Sequence, residues 1–274
     1  MTPKVSVIVP TYNERGNILQ LVDAIHHALE GFEHEILVVD DNSPDGTYQA
    51  VVDHGNPSTR AILRTSNRGF ANSIRCGIEA AKGEYIVVMD SDFNHPPRFI
   101  PFMVNALSEY DCVFASRFLY GGRGANKSRH LLSWSFNVFL RMLTDGRITD
   151  NLFGYFAVHR RVLEKLEFDD IFWGYGDYCI RLLYYVQRER FSVLQIPVVI
   201  GDRLEGRGNH QLGRTFVQYA WATVQLVAKN GRIKFAETEM REPGRAFVGE
   251  PKRREPAVNG SRASKPDSSI VAAE

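Results

Sequence analysis

In the first half of the chain, short apolar runs alternate with segments whose apolar positions recur at helical spacing. Residues 4–10 (KVSVIVP), 35–40 (EILVVD), 84–89 (EYIVVM) and 111–116 read as strands, and 61–63 as a weaker one. Between them, 18–30, 44–53, 70–82 and 97–107 read as helices, the third placing Phe70, Ile74, Ile78 and Ala81 on one face. Strands alternating with helices predict an α/β fold, a mostly parallel sheet with helices on both faces. Ligands of such sheets bind beyond the carboxyl ends of the strands. Acids stand at two of those predicted ends, after Val39 and after Met89, and Arg117 stands at a third.

The second half is less regular. Residues 121–129 form a loop rich in Gly, Lys and Arg, followed by a predicted helix over 131–143, a strand over 153–158, a helix over 175–187, a strand over 192–200 and a last helix over 213–230. Beyond about Met240 the composition turns to Pro, Gly, Ser and mixed charge. A tail over 241–274 is therefore expected to be disordered, because it cannot bury enough surface to offset its ordering entropy. The reading expects a single domain over 1–235.

Composition narrows the function classes. With 274 residues, 44% hydrophobic and 24% charged, collagen-like, coiled-coil and wholly disordered chains are excluded. A formal net charge of +1 gives no global field toward nucleic acid, so none is expected as a partner. Cys76, Cys112 and Cys179 are isolated, which speaks against a zinc site or a disulfide framework and for a reducing compartment. No charged-then-apolar leader opens the chain, and no apolar run approaches the roughly 20 residues of a membrane span.

Three polar clusters carry the chemistry. Pro10-Thr11-Tyr12-Asn13-Glu14 follows the first strand, and Asp40-Asp41-Asn42-Ser43-Pro44-Asp45-Gly46-Thr47 follows the second. Asp90-Ser91-Asp92-Phe93-Asn94-His95-Pro96-Pro97 follows the fourth. Singly, each is an ordinary set of turn residues. In a strand, positions i and i+2 point the same way, so Asp90 and Asp92 are expected to face one hard divalent cation, Mg2+ or Mn2+. A first turn with one Gly and an acid argues against a dinucleotide-binding module, which needs a Gly-rich phosphate turn.

In this order and spacing, the clusters resemble those of the family-2 glycosyltransferases of the GT-A fold. The similarity is greatest to their polyprenol (dolichol) phosphate mannosyltransferase branch, with further matches at Ser116-Arg117-Phe118, at the loop 121–129 and at 196–206. The resemblance implies a GT-A sheet, with a nucleotide-sugar half over about 1–116 and an acceptor half over 117–235. It implies Pro10, Tyr12 and Glu14 on the base and ribose, and Asp41 on the nucleoside. Asp90, Ser91 and Asp92 would hold the diphosphate end, Asp92 acting catalytically, and Asn94 would contact either the metal or the sugar. Asp40 either shares in this or only positions its loop.

Basic residues gather where an anionic acceptor would enter: Arg117, Arg123, Lys127, Arg129, Arg141 and Arg147, against Asp145 alone over that segment. The resemblance assigns Arg117, Arg129 and Arg203 to the lipid phosphate and the leaving diphosphate, through the paired N–H donors of arginine. Two departures from the branch stand out. Gly206-Arg207-Gly208-Asn209 replaces its Gly-x-Ser-Lys, leaving Arg207 for the Lys, and residues 172–178 read Phe-Trp-Gly-Tyr-Gly-Asp-Tyr. The latter is nearer to relatives that glycosylate hydroxyls, in which the position of Asp177 is the general base; Asp177 either serves so or caps the next helix.

The expected activity is thus inverting, metal-dependent transfer of a hexose, mannose from GDP-mannose first, to a polyprenyl or dolichyl phosphate. The alternative is extension of a saccharide hydroxyl with Asp177 as base. The apolar segments around Trp134 and Trp221 either cover the sheet or lie on a membrane surface. The chain is expected in the cytoplasm, peripheral at the inner face of a membrane.

Overall fold

The computed structural model describes residues 4–123, 127–200, 212–235 and 247–248. Its first half follows the predicted alternation: β1 Val5–Thr11, α1 Ile18–Ala28, β2 His34–Asp40, α2 Thr47–His54, β3 Thr59–Leu63, α3 Phe70–Ala80 and β4 Tyr85–Val88. A 3-10 turn over Pro97–Phe99 leads into α4 Ile100–Ala106, and β5 Cys112–Ser116 follows. Then come α5 Lys127–Thr144, β6 Phe156–His159, the short α6 Arg160–Leu163 and α7 Phe168–Ile171, α8 Tyr178–Arg188, β7 Val193–Pro197, α9 Leu212–Asn230 and β8 Phe247–Val248. Of the tail expected to be disordered, only β8 lies among the described residues, paired antiparallel with β7.

The strands stand in the order β3-β2-β1-β4-β6-β5-β7-β8. Neighbours pair in parallel across β3-β2-β1-β4 and between β5 and β7. Strand β6 runs antiparallel between β4 and β5. Hydrophobic runs without polar alternation make both faces of the central strands apolar, and the pleat divides them. Ile8, Leu37, Val39, Ile86 and Val88 enter a core with Ile74 and Ile78 of α3 and Leu182, Leu183 and Val186 of α8. Val7, Val9, Ile36, Val38 and Val87 enter the opposite one, with Ile18, Leu21, Val22 and Ile25 of α1 and Met103 and Val104 of α4. Each fully buried aliphatic side chain contributes about 1.5–3 kcal/mol, so the sheet holds its strand ends rigidly.

Helix α5 begins at Lys127, so Arg129 belongs to its first turn and not to the preceding loop, as the sequence suggested. Helices α5 and α9 pack together beside the sheet through the stacked rings of Phe136 and Phe216, 4.6 Å apart, and their Leu140 and Tyr219 form one cluster with Ile180 of α8. Their outer sides leave Leu131, Trp134, Met142, Val217 and Trp221 exposed. Among the described residues, no helix is long and apolar enough to cross a membrane.

Candidate active site

The carboxyl ends of β1, β2 and β4 open into a cavity of about 1020 Å3. Pro10, Tyr12, Glu14, Asp41, Asp90, Ser91 and Asp92 line it, which brings together most of the donor residues expected from sequence. Arg68, Gly69, Phe70 and Ser73 join them from the loop after β3 and the start of α3, and Leu152, Gly154, Tyr175, Gly176, Tyr178, Cys179 and Tyr219 close the other side.

Each loop is pinned by its own acid. Asp40 is fully buried and accepts from the Thr11 hydroxyl at 3.1 Å, the Ser43 hydroxyl at 2.6 Å and the Ser43 N–H at 2.8 Å. It therefore fixes the loop after β2, the second of its two expected roles. Asp41 accepts from the Arg64 guanidinium and, at 2.7 Å, from the Gly69 N–H. Gly69 adopts φ +141°, a conformation that side chains disfavour, to present that N–H. Arg64 also donates to Ser73 Oγ at 2.7 Å and to the Asn67 carbonyl, so it ties the loop after β3 to Asp41. Glu14 accepts from Asn17 Nδ2 at 2.8 Å, while its N–H donates to the Thr47 hydroxyl at 3.0 Å. Tyr12 is half exposed, with the Arg68 guanidinium 5.2 Å from its ring centre. An aromatic face so placed can stack a nucleobase.

The Asp90–Asp92 pair reaches the cavity in a different way from the expected one. Strand β4 ends at Val88, so the two-residue repeat of a strand does not set the direction of these side chains. A turn does so instead. Phe93 takes φ +64°, an uncommon conformation for a bulky residue, and folds the chain back. Asn94 then donates to Asp92 from its N–H at 3.1 Å and from Nδ2 at 2.8 Å. Asn94 itself does not line the cavity; its amide orients Asp92.

Beneath the turn, His95 is fully buried, stacked on Tyr155 at 4.9 Å and edge-on to Phe153 at 4.4 Å. Its Nδ1 accepts the Asp90 N–H at 2.8 Å, which puts the ring proton on Nε2, 3.5 Å from the Asp90 carboxylate. Burial, with a smaller effect of Arg117, pushes this imidazole down to about 3, against the opposing pull of Asp92 and Asp150. The ring is therefore neutral and acts as a hydrogen-bonded prop under the acidic turn.

Four of the lining side chains are acids (Glu14, Asp41, Asp90 and Asp92) and one, Arg68, is a permanent cation. A diphosphate would meet net negative charge there unless a cation came with it. The donor set suits Mg2+ or Mn2+: two carboxylates at one end of the cavity, one of them oriented by Asn94. Among the described residues no three His, Cys, Asp or Glu side chains could enclose a metal ion by themselves, so further oxygen ligands would come from the phosphates and water. Cys179 also lines the cavity, but burial pushes its thiol up and keeps it protonated, so it is no nucleophile.

The expected acceptor residues fare differently. Arg117 follows β5 but does not line the cavity. Its guanidinium grips Asp150 through Nε at 2.7 Å and Nη2 at 2.8 Å, and its N–H donates to the same carboxylate at 3.1 Å. Burial opposes the charge on Arg117, yet Asp150 outweighs it and holds the guanidinium more firmly protonated than usual. Asp177 also stands outside the lining; its carboxylate accepts from Arg181 and from the Tyr175 N–H at 3.0 Å, and it makes no side-chain cap to α8. The side chain of Arg129, and Arg203 and Arg207 altogether, lie outside the described residues.

Sequence reasoning missed Asp150, Arg64 and Arg68. The tally of basic residues stopped at Arg147, three positions before Asp150. Arg64 and Arg68 follow β3, a strand end that the weak apolar run at 61–63 hardly marked.

Fold and site together define a glycosyltransferase of the GT-A class. The chain superposes with a TM-score of 0.66 on glucosyl-3-phosphoglycerate synthase from Mycobacterium tuberculosis, crystallised with Mn2+, UDP and phosphoglyceric acid. That likeness, at 21% identity over 85% of this chain and 80% of the other, is one of fold. The family model for glycosyl transferase family 2 matches residues 6–167, and the chain belongs to that family.

Curated relatives include a dolichol-phosphate mannosyltransferase of Pyrococcus furiosus, 31% identical over 84% of this chain and 65% of that protein. The chain thus spans just under two thirds of that relative's length. The dolichol-phosphate mannosyltransferase of Saccharomyces cerevisiae is 29% identical over 80% of this chain and 85% of its own length. The polyprenol monophosphomannose synthase of Mycolicibacterium smegmatis is 34% identical over 74% of this chain and 79% of its own length.

Proposed function

We propose that the chain transfers a hexosyl group, mannose from GDP-mannose in the first instance, to a polyprenyl phosphate, with inversion at the anomeric carbon. The observation that carries this reading is the acidic turn Asp90-Ser91-Asp92, set in one cavity with Asp41, Tyr12 and Arg68. The names of the three mannosyl-transferring relatives support the choice of sugar and acceptor.

In this reading Tyr12 stacks the base while Glu14 and Asp41 hold the nucleoside half. Asp90 and Asp92 would hold Mg2+ or Mn2+, which supplies charge neutralisation at the departing diphosphate. Asn94 keeps the Asp92 carboxylate aimed, and neutral His95 fixes the backbone under Asp90 without adding charge. A polyprenyl monophosphate, with a second pKa of about 6, brings its own anionic nucleophile. The protein is left with positioning and charge stabilisation. The engagement of Asp177 by Arg181 favours such an acceptor over a hydroxyl that needs a base.

The exposed apolar sides of α5 and α9 suit the surface of a membrane, where the lipid acceptor resides. Arg129, Arg203 and Arg207 remain the proposed phosphate ligands.

The test is transfer of label from GDP-mannose, UDP-glucose or UDP-N-acetylglucosamine, with Mn2+, to polyprenyl phosphate. The expected result is an acid-labile glycolipid, abolished when both Asp90→Ala and Asp92→Ala are introduced. Retained transfer in that variant, or label entering only saccharide hydroxyls, overturns the proposal.

A further inference from the structure

Arg68 brings a permanent positive charge to a cavity otherwise lined by acids and uncharged groups. Its side chain is exposed and, among the described residues, makes no hydrogen bond or ion pair; its guanidinium lies 5.2 Å from the centre of the Tyr12 ring. Arg64, by contrast, is buried and engaged by Asp41, Ser73 and Asn67. The backbone on either side of Arg68 is fixed. The Asn67 carbonyl accepts from Arg64, and the Gly69 N–H donates to Asp41 at 2.7 Å. Both neighbours hold positive φ, +50° at Asn67 and +141° at Gly69. The loop thus anchors the main chain of Arg68 and leaves its fork of donors open beside Tyr12.

The sheet order says which end of a ligand this side chain meets. Arg68 follows β3, Tyr12 ends beside β1 and the Asp90–Asp92 turn follows β4, in the order β3-β2-β1-β4. The ends of β3 and β4 stand about 14 Å apart, three strand spacings. With the acidic turn at the diphosphate, Arg68 and Tyr12 belong to the end that holds the base. An ammonium there would be a point charge, whereas a guanidinium offers two parallel N–H donors that need two adjacent acceptors. Guanine has such a pair, O6 and N7, on one edge. Adenine sets an amino donor beside N7, and uracil separates its two carbonyls by an N–H.

We infer that Arg68 selects the base: its guanidinium donates to O6 and N7 of a guanine stacked on Tyr12, and so favours guanine over uracil nucleotides. The inference rests on the nucleotide-sugar reading of the cavity and adds to it the residue that sets the choice of nucleotide.

The test is calorimetry in the presence of Mn2+ with GDP, UDP and 7-deaza-GDP, in which carbon replaces N7, on the wild type, Arg68→Ala and Arg68→Lys. The wild type is expected to bind GDP more tightly than UDP. Arg68→Ala should lose about tenfold for GDP, the low part of the range for a paired contact to a base edge, and stay within twofold for UDP. Arg68→Lys, which keeps the charge without the fork, should lose nearly as much as Arg68→Ala. The analogue should bind the wild type several-fold more weakly than GDP, and bind Arg68→Ala as GDP does, because the two changes remove the same hydrogen bond. Equal losses on GDP and UDP would mean attraction to the phosphates. Full GDP affinity in Arg68→Lys would mean charge alone, and a wild type that prefers UDP or treats the analogue as GDP would mean no contact to N7. Each of these overturns the inference while leaving the nucleotide-sugar site standing. If the wild type binds none of the three ligands, the site reading itself fails, and the inference with it.

Discussion

Replacing Asp150 by alanine would leave the Arg117 guanidinium buried without its counter-charge. The Asp150 side chain is wholly buried and that of Arg117 nearly so, at 17% exposure, and the pair shares three hydrogen bonds of 2.7–3.1 Å. Removing one partner of such a pair costs about 3–5 kcal/mol, whereas replacing both by apolar residues of similar volume is often close to neutral. For a chain of this size each kcal/mol moves the melting temperature by roughly 2–4 °C. Asp150→Ala is therefore expected to melt about 6–20 °C below the wild type. Arg117→Met alone should lose a comparable amount, and Arg117→Met with Asp150→Leu should recover most of it. Urea titrations of the four proteins give the coupling energy. A loss below about 1 kcal/mol in either single variant, or additive losses in the double, refutes the argument. The outcome also governs how Arg117 variants are read. If the cycle holds, activity lost with Arg117 reflects a slackened loop after β5 and gives no proof that Arg117 touches phosphate.

Two further outcomes follow from the geometry. His95 binds its proton in the folded chain near pH 3 but near 6.5 when unfolded, so the unfolded state holds more protons between those values, and stability falls as pH drops from 6.5 toward 3. The slope from this residue is at most about 1.4 kcal/mol per pH unit; urea midpoints at pH 7, 6 and 5 should show a shallower acid limb in His95→Gln, and an identical limb would exclude His95 as its source. Trp134→Glu with Trp221→Glu, both on the outer sides of α5 and α9, should abolish cosedimentation with anionic vesicles while leaving nucleotide affinity unchanged. Undiminished cosedimentation would place membrane contact elsewhere.

Much of the strand-end side of the cavity was legible because its strands are continuous apolar runs. Val5–Thr11, His34–Asp40 and Tyr85–Val88 can be buried on both faces only in a covered parallel sheet, and the polar clusters at their ends then had to meet. What escaped was whatever depends on partners distant in sequence. Periodicity finds a strand near residue 156 but not its direction, nor that it parts β4 from β5. The pairing of Arg117 with Asp150 needs two loops 33 residues apart to converge. The turn at Phe93 was hidden for a different reason. Its left-handed backbone is the opposite of what a bulky aromatic residue suggests, and only the surrounding structure imposes it.

The interleaving of β6 has a topological consequence. A cut after Ser116 would leave β4 and β5 in one fragment and β6, the strand that pairs with both, across the break. The first piece would present Tyr85–Val88 as a bare apolar margin, open to pairing with any other chain. The chain up to Ser116 and the chain after it are thus stitched along both margins of β6 and between β5 and β7, and each becomes a finished surface only once the other has arrived.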